Sequence, residues 1–271
     1  MIVVNNFSPF IFKVGEFGLR WYGLAYVLGF VLGYLWLARA VRDDRIPGLT
    51  KANLDKLIYA LIIGVMVGGR LGFCVQNLDQ WKRDPLFLLR IWEGGMAFFG
   101  GLFGVTLAVY LFARKHKVSF GALGDTITVP GSLALAFGRI ANFMNAELWG
   151  RPTGADWGVI YPKVDQLPRH PSELYECLSH LLLAGVLALI WKLRPDTRES
   201  KRGLLSALFV ILYGAFRFVT EYFREEPITV GPLTSGQVAS LVIVAIGIIM
   251  YFVVRRGWSS TPEPTPEAGP S

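Results

Sequence analysis

Seven apolar runs, each close to the roughly twenty residues an α-helix needs to cross a bilayer core, dominate this sequence. They lie near residues 19–38, 55–75, 95–113, 121–143, 173–192, 203–222 and 236–254. Inside lipid a backbone is satisfied only as helices or a closed barrel, and runs of this length select helices. Charged residues make up 17% of the 271, against about 25% in a soluble domain. The expected fold is all-α: a polytopic membrane protein built as a bundle of about seven transmembrane helices. Residues 1–257 are expected to form one transmembrane domain, and the Pro-, Ser- and Glu-rich residues 258–271 a disordered cytoplasmic tail.

The formal net charge of +7 belongs to this architecture and does not point to nucleic acid, because Lys and Arg collect in cytoplasmic loops. The connections after spans one, three, five and seven carry fourteen Lys and Arg, whereas the N-terminus and the other connections carry nine. That bias predicts an N-terminus outside and a C-terminus in the cytoplasm. Residues 1–17 lack the basic and apolar regions of a cleaved signal peptide, so the first span is expected to do the targeting and stay. Cys74 and Cys177 sit in or beside apolar runs without metal-ligand spacing and read as small core residues. With no P-loop, dinucleotide fingerprint or HExxH, neither metal nor cofactor is expected.

Arg70, Arg139 and Arg217 lie deep in spans. An arginine there costs about 2.5–3.5 kcal/mol on insertion scales, so such residues face an interior cavity and carry function. Arg139 belongs to a polar stretch with Asn142, Asn145, Glu147, Gly150 and Arg151, and Arg139 and Asn142, three apart, share a helix face. In span six, Tyr213, Arg217, Glu221 and Arg224 fall on one narrow face. A self-neutralising Arg217–Glu221 pair would explain that stripe alone. With Arg139 added, cations outnumber nearby acids and an anionic ligand is favoured. Gly29/Gly33 and Gly64/Gly68 have the spacing of close helix contacts. The pairs Gly94-Gly95 and Gly100-Gly101 suggest irregular backbone lining a cavity. Ser172 reads as the cap of span five, His170 lies just outside that span, and His180 reads as a packed helix residue.

Taken in order, these residues resemble the bacterial prolipoprotein diacylglyceryl transferases. The signature is Gly138-Arg139-x-x-Asn142-Phe143-x-Asn145-x-Glu147-x-Trp149-Gly150-Arg151. It is flanked by Trp21-Tyr22-Gly23, Gly68-Gly69-Arg70, Trp92-Glu93-Gly94-Gly95-Met96, Arg169-His170-Pro171-Ser172, and Tyr213 to Arg217 with Glu221 and Arg224. The resemblance implies a transferase acting in the bacterial cytoplasmic (inner) membrane, at the outer half of the bilayer. Such an enzyme moves the diacylglyceryl group of phosphatidylglycerol to the lipobox cysteine of a preprolipoprotein signal peptide. A thioether forms and glycerol phosphate leaves, the first step of lipoprotein maturation. By the same resemblance Arg139 and Arg217 handle the phosphate, Tyr22, Asn142 and Gly150 are critical, and Glu147, Glu221 and Tyr213 support them. Arg70 and Arg224 are expected to help bind the lipid.

One position departs from the pattern. The family commonly has a histidine before the second Gly-Gly, and here Phe99 stands there. A phenylalanine accepts no proton. Phe99 motivates a second reading, an inactive paralogue that binds phosphatidylglycerol or signal peptides, and the same arginines would serve a third, an anion transporter. Against the transporter, no internal repeat of the kind such proteins often carry is visible. The chemistry does not demand the missing histidine. A thiol with pKa near 8.5 needs roughly 2 kcal/mol to ionise at pH 7, and nearby guanidiniums lower a thiol pKa by that much. Arginine also stays charged and grips phosphate bidentately. Asn142 is then expected to orient the head group and Glu221 to fix Arg217, with His170 the nearest substitute base.

Overall fold

The computed structural model describes residues 1–15, 17–90, 94–193, 202–225 and 229–256. Seven helices are long and apolar enough to cross a membrane. They are α1 (Trp21–Arg42), α2 (Lys51–Gln76), α3 (Phe98–His116), α4 (Phe120–Asn145), α5 (Ser172–Leu193), α6 (Leu204–Glu221) and α7 (Ser235–Arg255). Each expected span has its helix. The tail, Trp92, Glu93 and the basic residues Arg194, Arg198 and Lys201 lie outside the described residues.

The described residues form two compact units, one of Met1–Trp36 with Asp125 to Arg256, the other of Leu37–Gly124. In the second unit α2 and α3 meet along a glycine seam. A Cβ on Gly68 would stand 2.8 Å from the Gly104 Cα, and one on Gly72 2.9 Å from the Gly100 Cα. Backbones approach this closely only where side chains are absent, which is how helices associate without a hydrophobic driving force. Gly100 and Gly101 are therefore helical packing residues, contrary to the irregular backbone expected of them. Gly94 and Gly95, at φ of 84° and 86°, do break the regular chain.

In the first unit the connections place the helix ends. The Asp125 carboxylate accepts bonds from the Gly203 and Ser206 amides, both 2.8 Å, and so satisfies orphan donors at the start of α6. Thr234 and Gln237 form a reciprocal capping box on α7. Gly29 on α1 faces Ala134 on α4, as its spacing predicts. Outside the helices, β1 (Ile2–Val4) pairs in parallel with β2 (Gly158–Ile160). That pairing ties the N-terminus to the segment between α4 and α5, and Asn5 extends it by donating to the Phe143 carbonyl at 2.7 Å. Exposed Val27, Val31 and Leu35 on α1 suit lipid rather than water.

Candidate active site

Three helix ends of the first unit converge on one carboxylate. Glu176, one turn into α5 and only 1% exposed, faces Arg139 of α4 at 2.8 Å, Arg217 of α6 at 3.0 Å and Arg224 at 3.2 Å. Arg217 also pairs with Glu221 at 2.6 Å. The expected Arg217–Glu221 pair is present, yet it is not an isolated pair, because Arg217 also bonds Glu176. Arg224 does not sit on the helical stripe predicted for it. Helix α6 ends at Glu221, and Arg224 follows in a turn whose backbone bridges Gly150. The turn still returns its side chain to Glu176.

Beside this group Arg139 donates to Asn142 at 3.3 Å, as their spacing predicts. Asn142 donates to the Tyr22 hydroxyl, which in turn donates to Glu147 at 2.5 Å. Glu147 is brought back by its own amide, which bonds the Asn142 carbonyl at 3.0 Å. Arg139, Asn142, Tyr22 and Glu147 are thus one continuous chain of bonds. Tyr213, one turn before Arg217, stacks on His180.

Gly150 contributes space. Its amide bonds the His170 carbonyl at 3.0 Å, and a Cβ would stand 2.8 Å from the His170 Cβ and against the Phe223 and His170 carbonyl oxygens. Gly150→Ala must therefore part the strands that carry Arg224 and His170. The expected cost is about 1–3 kcal/mol of overpacking, with turnover falling further because Arg224 is displaced. Melting temperature and rate of the purified variant check this, and unchanged values for both would contradict the tight approach.

Two expected site residues take other roles. Arg70, buried in the second unit, spends all five N–H donors on the carbonyls of Phe87, Leu88, Arg90, Gly94 and Gly95. It folds the segment before α3 and has no donor left for a lipid. His170 bonds the Tyr175 hydroxyl at 3.2 Å and is ringed by Trp157, Tyr175 and Phe223. Its described contacts include none of the arginines or carboxylates of the Glu176 group.

Burial, then the nearby Arg151, lowers the His170 pKa below its ordinary 6.5. The folded segment therefore favours the neutral ring. Its contribution is complete above pH 6.5 and is lost as the pH falls through the lowered folded value. Amide exchange in residues 148–172, corrected for intrinsic rates, is expected to speed up as the pH drops toward about 5. His170→Phe, which keeps an aromatic ring but cannot titrate, is expected to flatten that response. Identical pH profiles for both proteins would refute it.

Several important residues carried no clear sequence signal. Glu176 and Glu173 lie at the start of α5, where no spacing singles them out. Glu173 accepts the Tyr161 hydroxyl at 3.1 Å, and burial followed by the Glu173 charge pushes that phenol upward. Glu225 takes Arg169 and the Trp149 indole, linking the two segments that flank the site. Among the described residues no three of His, Cys, Asp and Glu are grouped to hold a metal.

The prolipoprotein diacylglyceryl transferase family model matches residues 9–253. The chain belongs to this family. A Vibrio cholerae serotype O1 (strain ATCC 39541) protein named phosphatidylglycerol–prolipoprotein diacylglyceryl transferase is 41% identical over 260 residues, covering 93% of each chain. Proteins of the same name from Rickettsia typhi and Rickettsia canadensis are 38% and 39% identical, covering 94% and 91% of this chain and 98% and 96% of their own. Within this transferase family the motif residues Tyr22, Asn142, Glu147, Arg139 and Arg217 acquire a common context, since all belong to the bonded group just described. Phe99, where the resemblance leads one to expect a histidine, lies in the first turn of α3, 69% exposed and edge-on to Phe98.

Proposed function

We propose that this chain transfers the diacylglyceryl group of phosphatidylglycerol to the lipobox cysteine thiol of preprolipoproteins. A thioether forms and glycerol phosphate is released. The observation that carries this assignment is the trio Arg139, Arg217 and Arg224 gathered on Glu176 where the ends of the membrane-spanning helices meet. Three guanidiniums gathered in one place offer a cluster of charge-assisted donors that suits an anionic head group. Charge that grows on phosphate as the C–O bond breaks is stabilised by such preorganised donors. Arg139 and Arg217 grip the phosphate, Glu221 and Glu176 hold them in place, and Asn142 with Tyr22 and Glu147 orients the head group. The same guanidiniums favour the thiolate that attacks. The Lys and Arg bias supports a cytoplasmic C-terminus, with the Glu176 end of the bundle at the outer half of the inner membrane.

The test is to incubate purified protein with phosphatidylglycerol and a lipobox peptide and weigh the peptide. A diacylglyceryl mass gain that is absent in Arg139→Ala supports the reading. Retained lipid binding with no mass gain from the unsubstituted protein would instead favour a lipid-binding paralogue, the outcome suggested by Phe99.

A further inference from the structure

His180 is 2% exposed, and neither ring nitrogen has a hydrogen-bond partner among the described residues. Buried polar groups are nearly always paired, and an exception calls for an explanation. Here two orphans share one ring, and the ring is held in place. Tyr213 of α6 stacks on it at 5.6 Å with planes 7° apart. Stacking holds the imidazole by its faces, and both enclosed nitrogens stay unpaired among the described residues. His180 is one helical turn beyond Glu176, about 6 Å further along α5, and Tyr213 is similarly one turn deeper than Arg217. Arg139, Arg217 and Glu176 all act electrostatically on the ring. The imidazole thus lies on the bilayer-centre side of the guanidinium group.

That placement matters for a displacement at carbon. Sulfur must enter opposite the leaving oxygen, and if the guanidiniums hold the leaving phosphate, the thiol arrives from the deeper, acyl-chain side. Resting on the transferase reading above, we infer that His180 is a catalytic residue whose neutral imidazole accepts the proton of the attacking thiol. The S–H bond gives its proton to an imidazole nitrogen as sulfur forms the C–S bond. The C–O bond electrons go to the departing phosphate oxygen, and the imidazolium then returns the proton to the released glycerol phosphate. The other candidates are engaged elsewhere: His170 on Tyr175, and Glu173 on Tyr161.

His180→Phe keeps the ring stack and removes both nitrogens, whereas His180→Gln keeps polarity but cannot take up a proton. Both are expected to lower kcat about a hundredfold while leaving KM for phosphatidylglycerol nearly unchanged. In His180→Ala, added imidazoles are expected to restore turnover in order of their basicity. A kcat within about twofold of the unsubstituted enzyme overturns the inference, as does rescue indifferent to basicity, which would assign His180 to packing. If His180→Phe does not fold, His180→Gln is judged by the same criterion. An unsubstituted protein that makes no thioether overturns the transferase reading itself, and with it this role.

Discussion

Glu176→Gln is expected to abolish transfer and to destabilise the protein more than any other isosteric change in the bundle. The carboxylate accepts ion pairs from Arg139, Arg217 and Arg224, side chains carried by three different segments, and its own side chain is 2% exposed. An amide retains the volume but turns a donor toward guanidinium donors and removes the charge. Glu221, already engaged with Arg217 at 2.6 Å, is then left to balance three cations. Removing one partner of a buried ion pair costs about 3–5 kcal/mol, because the remaining charge stays desolvated. Glu173→Gln is the control: it is equally buried and on the same helix, but its partner is the Tyr161 hydroxyl, which an amide oxygen can still accept. Unfolding of both variants in one detergent measures the difference. Matching stabilities, with normal turnover in Glu176→Gln, would mean that the carboxylate does not hold the arginines.

The contrast between Glu176 and Arg139 explains how much of this molecule was legible in its sequence. All seven spans were, because bilayer thickness imposes a length and a polarity that no tertiary context can override. Local geometry inside a helix was legible too: Arg139 with Asn142, and Arg217 with Glu221, are bonded as three- and four-residue spacings require. Glu176 was not, because its meaning depends on partners 41 and 48 residues away that no periodicity connects. Arg224 was half legible. The helical spacing extrapolated past the end of α6, and the turn that replaced the helix delivered the side chain to the same carboxylate by another route. Arg70 was misread for a related reason, since an arginine deep in a span can be satisfied by backbone carbonyls. Only the structure distinguishes that from a ligand site. Gly150 was flagged by resemblance alone, and its physical reason, two chains passing too close for a Cβ, is a tertiary fact.

Arg139→Lys is the second change expected to have a large effect, and it separates charge from geometry. Lysine keeps a cation that can still reach Glu176, so stability is expected to suffer much less than in Glu176→Gln. What it loses is the planar fork. Arg139 uses one guanidinium nitrogen on Glu176 at 2.8 Å and another on Asn142 at 3.3 Å, coupling the carboxylate centre to the Asn142–Tyr22–Glu147 chain. An ammonium is a point charge without that two-sided reach, so Asn142 and Tyr22 lose their register with the Glu176 carboxylate. Removing a preorganised donor from a site that stabilises developing charge lowers kcat by about 10²–10³, and a loss of that order is expected here. Binding of phosphatidylglycerol should weaken less than turnover, because the net charge of the site is unchanged. Thioether formation followed by mass spectrometry, alongside lipid binding to the same preparation, tests both parts. If Arg139→Lys turns over normally, bulk positive charge suffices and the bonded chain from Arg139 to Glu147 is scaffold. If binding collapses together with turnover, the fork itself holds the head group in the ground state, and its contribution is not specific to the transition state.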